Sequence, residues 1–437
     1  MLIAKALLAE TAQALRTGML DIIDYINKLC DRIDVYEAQI QAFVPEENRR
    51  ERLLRQAEVL QQRYPEPCAR PPLYGIPVGV KDIFRVDGFP TRAGSDFPPE
   101  VLAGDEASWV TKLREAGALI AGKTITTEFA YFEPGPTRNP YNPEHTPGGS
   151  SSGSAAGVAC GFFPLAFGTQ TIGSVIRPAA FCGIIGFKPS FDRISTHGLI
   201  IFSRSADHVG LFTQDIEGME LAASVVCQNW QSCFTDSRET EELPVLGVPE
   251  GKYLKQASYD GVKAFDAQVQ VLEDCGYPIK RIPMFDDIAS INHSHRQMTA
   301  AEVAQEHAEW FNTYRDLYHP RTLEIILKGQ QISAGELETV RAGRLELRQQ
   351  LNEAQTKHGI DLWISPAATG DAPKGIHATG DPIMNLPWTY SGVPVITVPA
   401  GMSKNYLPLG LQCSAAFMQD ERLIAWMPGI METLKHE

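Results

Sequence analysis

The chain is poor in positive charge. Its 437 residues carry 39 Lys and Arg against 53 Asp and Glu, a formal net charge of −14. That balance argues against sequence-independent binding to nucleic acid, which needs a basic surface, but does not exclude a local basic groove. No window holds 18 uncharged apolar residues, so no membrane-spanning helix is expected. The first residues, MLIAKALLAETAQALRTG, begin apolar but are interrupted by Lys5, Glu10 and Arg16. They lack the apolar core and cleavage site of a secretory signal. The eight cysteines (Cys30, Cys68, Cys160, Cys182, Cys227, Cys233, Cys275 and Cys413) contain no C-x-x-C pair. Scattered in mostly apolar contexts, they read as reduced thiols of an intracellular protein. Metal-ligand spacing is missing as well. Of ten histidines only His293 and His295 stand close together, without an acidic or cysteine partner. They read as surface or structural residues, and no metal is expected. Internal repeats and low-complexity segments are absent. What remains is a cytoplasmic globular protein.

What is present reads as one large α/β unit. Apolar periodicity predicts helices over residues 19–34, with Ile22, Ile26, Leu29 and Ile33 on one face, and over 49–62. Residues 74–82 read as a strand carrying Ile76, Val78 and Val80, which Pro77 limits to an edge or a short piece. It closes on Lys81. A helix over 105–116 and a strand over 118–121 complete a βαβ unit and imply parallel pairing. Glu128, between Thr127 and Phe129, reads as a carboxylate that ties down backbone amides. Further helices are predicted over 216–227, 259–275, 298–314, 336–351 and 420–434, and strands over 243–248, 361–365, 393–398 and 408–413. Residues 228–242 read as a polar surface loop. No linker is evident, so the expectation is a single domain over 1–437: N-terminal helices over 1–65, a motif-bearing region over 72–215, and a part over 243–437 that completes the sheet and a substrate pocket.

Residues 146–189 stand apart. They are dense in Gly, Ser and Ala and nearly uncharged. A solvated linker has that composition, but Val158, Phe162, Phe163, Leu165, Phe167, Ile172, Ile176 and Phe181 interleave it and place it in the interior. Buried glycines cost backbone entropy and buried hydroxyls need partners, so their concentration points to chemistry. A short helix is expected over 154–160, a strand over 163–167, a loop over 168–177 and a turn or helix from 179. Four readings compete. GSSSG at 149–153 contains G-x-S-x-G, with Ser151 as nucleophile, but that elbow needs a strand directly before it, and a turn precedes it here. A phosphate cradle of the Walker type needs a Gly-Lys-Ser/Thr ending, which is missing. The glycines can serve close packing alone. Finally, a serine can act with a neutral lysine as base. Lys81 ends an apolar strand, and residues 169–174 can aim successive backbone N–H groups at one point.

Several segments in order resemble the amidase signature family: GIPVGVKD (75–82), GKTITTEF (122–129), PGGSSSGSAA (147–156), GTQTIGS (168–174), RPAAFCGIIGFKP (177–189) and PVITVPAG (394–401). The resemblance extends over nearly the whole chain. It implies an α/β fold, an α/β/α sandwich with helices flanking a large mixed central β-sheet, and an amidohydrolase with a Ser–cisSer–Lys triad. On that likeness Ser174 is the nucleophile, Ser150 the bridging serine after a cis peptide, and Lys81 the general base. The backbone amides of Thr171, Ile172, Gly173 and Ser174 form the oxyanion hole. Ser151 and Ser152 are expected to give hydrogen-bonding support, Ser151 touching the site. Asp207, in SADHVG (205–210), matches a family segment and is expected to have a structural hydrogen-bonding role. Tyr131, Phe132, Ile172, Phe202 and Trp388, chosen for size and position beside the motifs, are candidate substrate-binding residues together with Ser151; they suggest an apolar or aromatic acyl group.

The chain departs from the family's common GTDTGGSIR. Gln170 replaces the Asp, Ile172 replaces a Gly and narrows the acyl pocket, and Arg177 is displaced. The resemblance implies no cofactor. The expected partner is a small-molecule amide, without direct contact to nucleic acid or membrane, and the expected assembly is a homodimer. One alternative is the catalytic A-type subunit of a glutamyl-tRNA(Gln) amidotransferase, although GDPIMNLPW (380–388) looks more like stand-alone amidases. Another is a non-catalytic binding protein on the same fold, against which the intact Lys81, Ser150 and Ser174 stand.

Overall fold

The computed structural model describes residues 2–232 and 243–435; Cys233 and most of the loop expected over 228–242 lie outside the described residues. Ten strands form one sheet: β1 (Pro77–Lys81), β2 (Leu119–Thr124), β3 (Leu165–Gln170), β4 (Ile185–Lys188), β5 (His208–Thr213), β6 (Leu246–Glu250), β7 (Ile279–Pro283), β8 (Leu362–Pro366), β9 (Val395–Met402) and β10 (Pro408–Ser414). Their order is β2-β1-β3-β5-β4-β9-β10-β8-β6-β7. At one end β1 runs parallel to β2 and β3, and at the other β6 runs parallel to β7 and β8. The pairings between, from β3 through β5, β4, β9 and β10 to β8, are antiparallel. The sheet is therefore mixed, as the family resemblance implies.

Fourteen helices accompany the sheet among the described residues. The first four are α1 (Leu8–Thr17), α2 (Ile22–Ile40), α3 (Arg49–Arg63) and α4 (Ser108–Glu115); the next are α5 (Ser152–Ala159), α6 (Ile176–Phe181), α7 (Ile216–Val226), α8 (Tyr259–Asp274) and α9 (Ile288–Glu306); the last are α10 (Ala308–Tyr314), α11 (Pro320–Gly329), α12 (Ala334–His358), α13 (Leu386–Ser391) and α14 (Asp420–Leu434). The predicted face of α2 is the buried one, and Asp21 caps its first turn by accepting from the amides of Ile23 and Asp24. Helix α1 is capped from a distance: Asp215 accepts from the amides of Leu8 and Ala9 at 2.7 and 2.9 Å and also from Gly218 in α7.

Several expectations change. Of the two forms Pro77 allowed, β1 is the short piece of 5 residues and not an edge, because it pairs with β2 on one side and β3 on the other. Pro77 is tolerated as its first residue, where no ladder N–H is required of it. The loop expected over 168–177 is shorter, since β3 runs to Gln170 and α6 starts at Ile176. Helix α5 begins two residues earlier than expected and is buried along its whole length. Its glycines explain how. A Cβ on Gly157 would lie 2.2 Å from the Phe163 ring, and one on Gly79 of β1 would lie 2.5 Å from the same ring. Phe163 is thus clamped between helix and sheet at a distance only glycine permits. The α5 hydroxyls are paired: Ser154 Oγ donates to Phe167 O at 2.9 Å and meets Thr124 Oγ1 at 2.7 Å, and Ser152 Oγ donates to Gly148 O.

Candidate active site

Lys81 leaves the C-terminal end of β1 fully buried, at 0% exposure. Its Nζ lies 2.7 Å from Ser150 Oγ and 2.7 Å from Thr169 Oγ1. Burial holds its pKa well below the usual lysine range; the charge of Asp207 opposes that shift and Arg177 adds to it. Ser150 follows a cis peptide bond from Gly149. Behind it the Gly149 carbonyl accepts from Arg177 Nη2 at 2.6 Å, and the Arg177 Nε–H goes to Thr379 O at 2.8 Å. Nearby Asp82 and Lys123 form a buried ion pair at 2.7 Å.

The turn after β3 carries Ser174, 8% exposed. The backbone N–H groups of Ile172, Gly173 and Ser174 have no acceptor among the described residues. Gln170 organises the turn. Its Oε1 accepts from the amides of Val175 and Ile176 at 2.8 and 3.0 Å, capping α6, and its Nε2 donates to Thr389 Oγ1 at 2.9 Å. Gly173 has no room for a side chain, because a Cβ would stand 2.2 Å from Asn385 Oδ1. Asp207 takes the structural position expected of it: it accepts from Thr171 Oγ1 at 2.5 Å and from the amides of Phe202 and Ser203. Burial lifts its pKa to about 6 against those hydrogen bonds. Glu128 likewise accepts from the His319 amide and the Thr322 hydroxyl.

Ser150, Thr171, Ile172, Ser174 and Arg177 share one cleft with Ala130, Tyr131, Phe132, Phe202, Thr379 and Pro382. The Tyr131 and Phe202 rings stack at 5.4 Å and form an aromatic wall. Tyr131, Phe132 and Thr379 also line an outer pocket with Arg321, Glu324 and Lys328, so the cleft opens past them. Two expected substrate contacts are not in the cleft. Trp388 is buried in the core, its indole N–H donating to Tyr253 Oη at 2.8 Å, because its position on α13 turns it toward the Tyr253 and Phe285 rings. Ser151 is buried against β3, its Oγ 3.3 Å from both the amide and the carbonyl of Thr169.

Other neighbours were not singled out from the sequence. Thr169 is a second hydroxyl on Lys81, Thr379 belongs to an aperiodic loop, and His295 and Thr389 reach the turn from the last third of the chain. His293 is exposed, but His295 is buried, its Nε2 2.8 Å from Thr171 O. Arg177 is 1% exposed, and its Nη1 has no partner among the described residues. The position of Arg177 in RPAAFCG was the available signal for it.

A family model described as Amidase matches residues 24–424. The chain is 31% identical to the A-type subunit of the glutamyl-tRNA(Gln) amidotransferase of Koribacter versatilis, over 90% of this chain and 91% of that one. It is 29% identical to the corresponding subunit of Carboxydothermus hydrogenoformans, over 92% of each. The crystal structure of an amidase superposes with a TM-score of 0.86 at 28% identity, covering 98% of this chain and 99% of the other. The names of the two relatives place tRNA in their reaction, so the expectation of an enzyme apart from nucleic acid does not match them. No helix among the described residues is long and apolar enough to cross a membrane.

Proposed function

The chain belongs to the amidase family, enzymes that act on amide C–N bonds, and on that premise we propose that it hydrolyses a linear carboxylic amide through an acyl-enzyme on Ser174. The observation that carries this reading is the buried, desolvated Lys81 amine on the hydroxyl of Ser150, in one cleft with Ser174 and the unpaired amides of the turn.

In the proposed reaction neutral Lys81 takes the proton of Ser150 as Ser150 takes that of Ser174. The Ser174 Oγ attacks the amide carbon, and the carbonyl oxygen becomes an oxyanion held by the amides of residues 171–174. Each such donor contributes about 3–4 kcal/mol to lowering the barrier. The proton returns through Ser150 to the leaving nitrogen as the C–N bond breaks. Water then cleaves the ester by the same relay, releasing the acid and restoring Ser174. On the acyl side Ile172, Tyr131, Phe132 and Phe202 offer apolar surface, and the unpaired Arg177 Nη1 offers a donor. This pairing favours an apolar acyl group that also carries an acceptor. A cytoplasmic setting suits the unpaired cysteines.

A panel of aliphatic, aryl and anionic amides, glutamine included, tests the reading. Ser174→Ala is expected to abolish turnover and fluorophosphonate labelling together; turnover that persists in this variant refutes it. The kinship with amidotransferase chains over nine-tenths of the sequence favours a second reading, in which glutamine is the amide and ammonia passes to a partner. Co-purification of further subunits with a glutamine-dependent activity selects that reading.

A further inference from the structure

The oxyanion turn contains three consecutive peptide units, and each carbonyl is held from behind. Thr171 O accepts from His295 Nε2 at 2.8 Å, Ile172 O from Thr389 Oγ1 at 2.6 Å, and Gly173 O from the Arg177 amide at 3.0 Å. The N–H groups at the other ends of these same peptides belong to Ile172, Gly173 and Ser174. A peptide is a rigid plane, so a donor fixed on its carbonyl fixes where its N–H points. A hydrogen bond on the carbonyl also polarises the N–H, strengthening its own bond by roughly 10–30%.

The donors follow from the chemistry of each group. A carbonyl only accepts, so His295 carries its hydrogen on Nε2. Burial lowers the pKa of this ring to about 4, which keeps it neutral. Thr389 has one hydroxyl hydrogen. Gln170 Nε2 donates to its oxygen, and of the two carbonyls within reach of that hydrogen Ile172 O, at 2.6 Å, is nearer than Asn385 O at 3.1 Å. This link needs an amide at position 170. The Asp common in the family pattern has no N–H and is one methylene shorter, so it cannot donate to Thr389. Gln170 and Thr389 act as a pair.

We propose that His295, Thr389 and Gln170 are positioning residues that hold the Thr171–Ile172 and Ile172–Gly173 peptides with their N–H groups aimed at the tetrahedral oxygen. The proposal rests on Ser174 being the nucleophile. Because the aimed donors act on developing charge, their loss lowers the rate of the bond-forming step and leaves ground-state binding intact.

The test uses the full chain and an alkyl fluorophosphonate. Ser174 Oγ forms a bond to phosphorus as the P–F bond breaks, fluoride leaves, the hydroxyl proton passes toward Lys81, and the phosphoryl oxygen takes the oxyanion position. Inactivation at varied probe concentration separates the limiting rate from the half-saturating concentration. Thr389→Val and His295→Phe are each expected to lower the limiting rate about 10- to 100-fold with the half-saturating concentration unchanged. Thr389→Ser and His295→Gln, which keep a donor, restore most of the rate, and Gln170→Asp behaves as Thr389→Val does. Melting curves identify a variant that fails to fold, and the remaining substitutions then carry the test. Equal rates for Thr389→Val and Thr389→Ser, or a changed half-saturating concentration with an unchanged limiting rate, overturn the positioning role while Ser174 stays labelled. Labelling that survives Ser174→Ala overturns both this proposal and the reading beneath it.

Discussion

At the scale of single residues, two buried lysines answer to the same physics with different consequences. Lys81 touches two hydroxyls, and burial, the largest influence on it, disfavours its charged form. In the proposed relay the neutral amine is the reactive form. The kcat/KM for a hydrolysed amide is therefore expected to climb as pH rises through the folded pKa of Lys81 and to level off above it. Lys81→Arg, which stays cationic, is expected to lose about 10²- to 10⁴-fold at every pH; a wild-type profile without an ascending limb contradicts the role. Lys188 lies outside the cleft, its Nζ donating to Val393 O at 2.6 Å and Pro189 O at 3.0 Å. Burial lowers its pKa to about 7. In the unfolded chain this lysine titrates at about 10.4, so between these values it binds a proton that it does not bind in the folded chain. The contribution of Lys188 to stability thus rises with pH across that window, by about 1.4 kcal/mol per unit. Denaturant titrations of wild type and Lys188→Met at several pH values are expected to show that difference in slope. Parallel curves would mean that Lys188 is charged in the fold.

At the scale of elements, the clamp on Phe163 sets how closely α5 approaches β1, and Ser150 stands just before α5. Gly157→Ala forces a methyl into the ring and is expected to cost about 1–3 kcal/mol and to reduce activity by moving Ser150. Gly157→Ala with Phe163→Leu is expected to recover part of the unfolding midpoint; no recovery would show that the ring is not the obstacle. The sequence made α2, α8 and α14 legible through their periodic apolar residues. It located the Gly/Ser segment as buried and chemically significant, because Phe162, Phe163 and Phe167 run through it. It did not reveal β4, β5 or β7. IGFK and HVGLFT are short, and each contains a glycine that breaks alternation. Ser151 and Trp388 were drawn toward the cleft by adjacency in sequence, whereas the side-chain direction on a helix or beside a strand turned both away. His295 and Thr389 had no local signal, since their roles depend on a turn more than a hundred residues earlier.

At the scale of the whole molecule, remote side chains fasten the N-terminal region. Asp215 holds the first amides of α1 while capping α7, and Gln214 bonds both the Ala6 amide and the Ala4 carbonyl. Asp215→Ala leaves those amides unpaired and is expected to cost about 1–3 kcal/mol. Limited proteolysis should then cut within the first 20 residues or so before the rest of the chain; an unchanged cleavage pattern would mean that apolar packing of Leu8, Ala12 and Leu15 suffices to hold α1. The mixed sheet was implied by the family likeness, because the βαβ pattern by itself signalled parallel pairing.

The central seam of that sheet joins β4 to β9, with Phe187 opposite Ile396. Some two hundred residues separate these partners. Lys81, Ser150 and Ser174 all precede that gap, whereas His295 and Thr389 lie within it, ahead of Ile396. A ribosome making this protein therefore releases the whole proposed triad long before β9, which flanks β4, exists. Until β9 emerges, β4 has one edge open, and an open edge invites pairing with another chain. The interval between β4 and β9 is therefore the part of synthesis in which wrong pairing of this edge competes with folding.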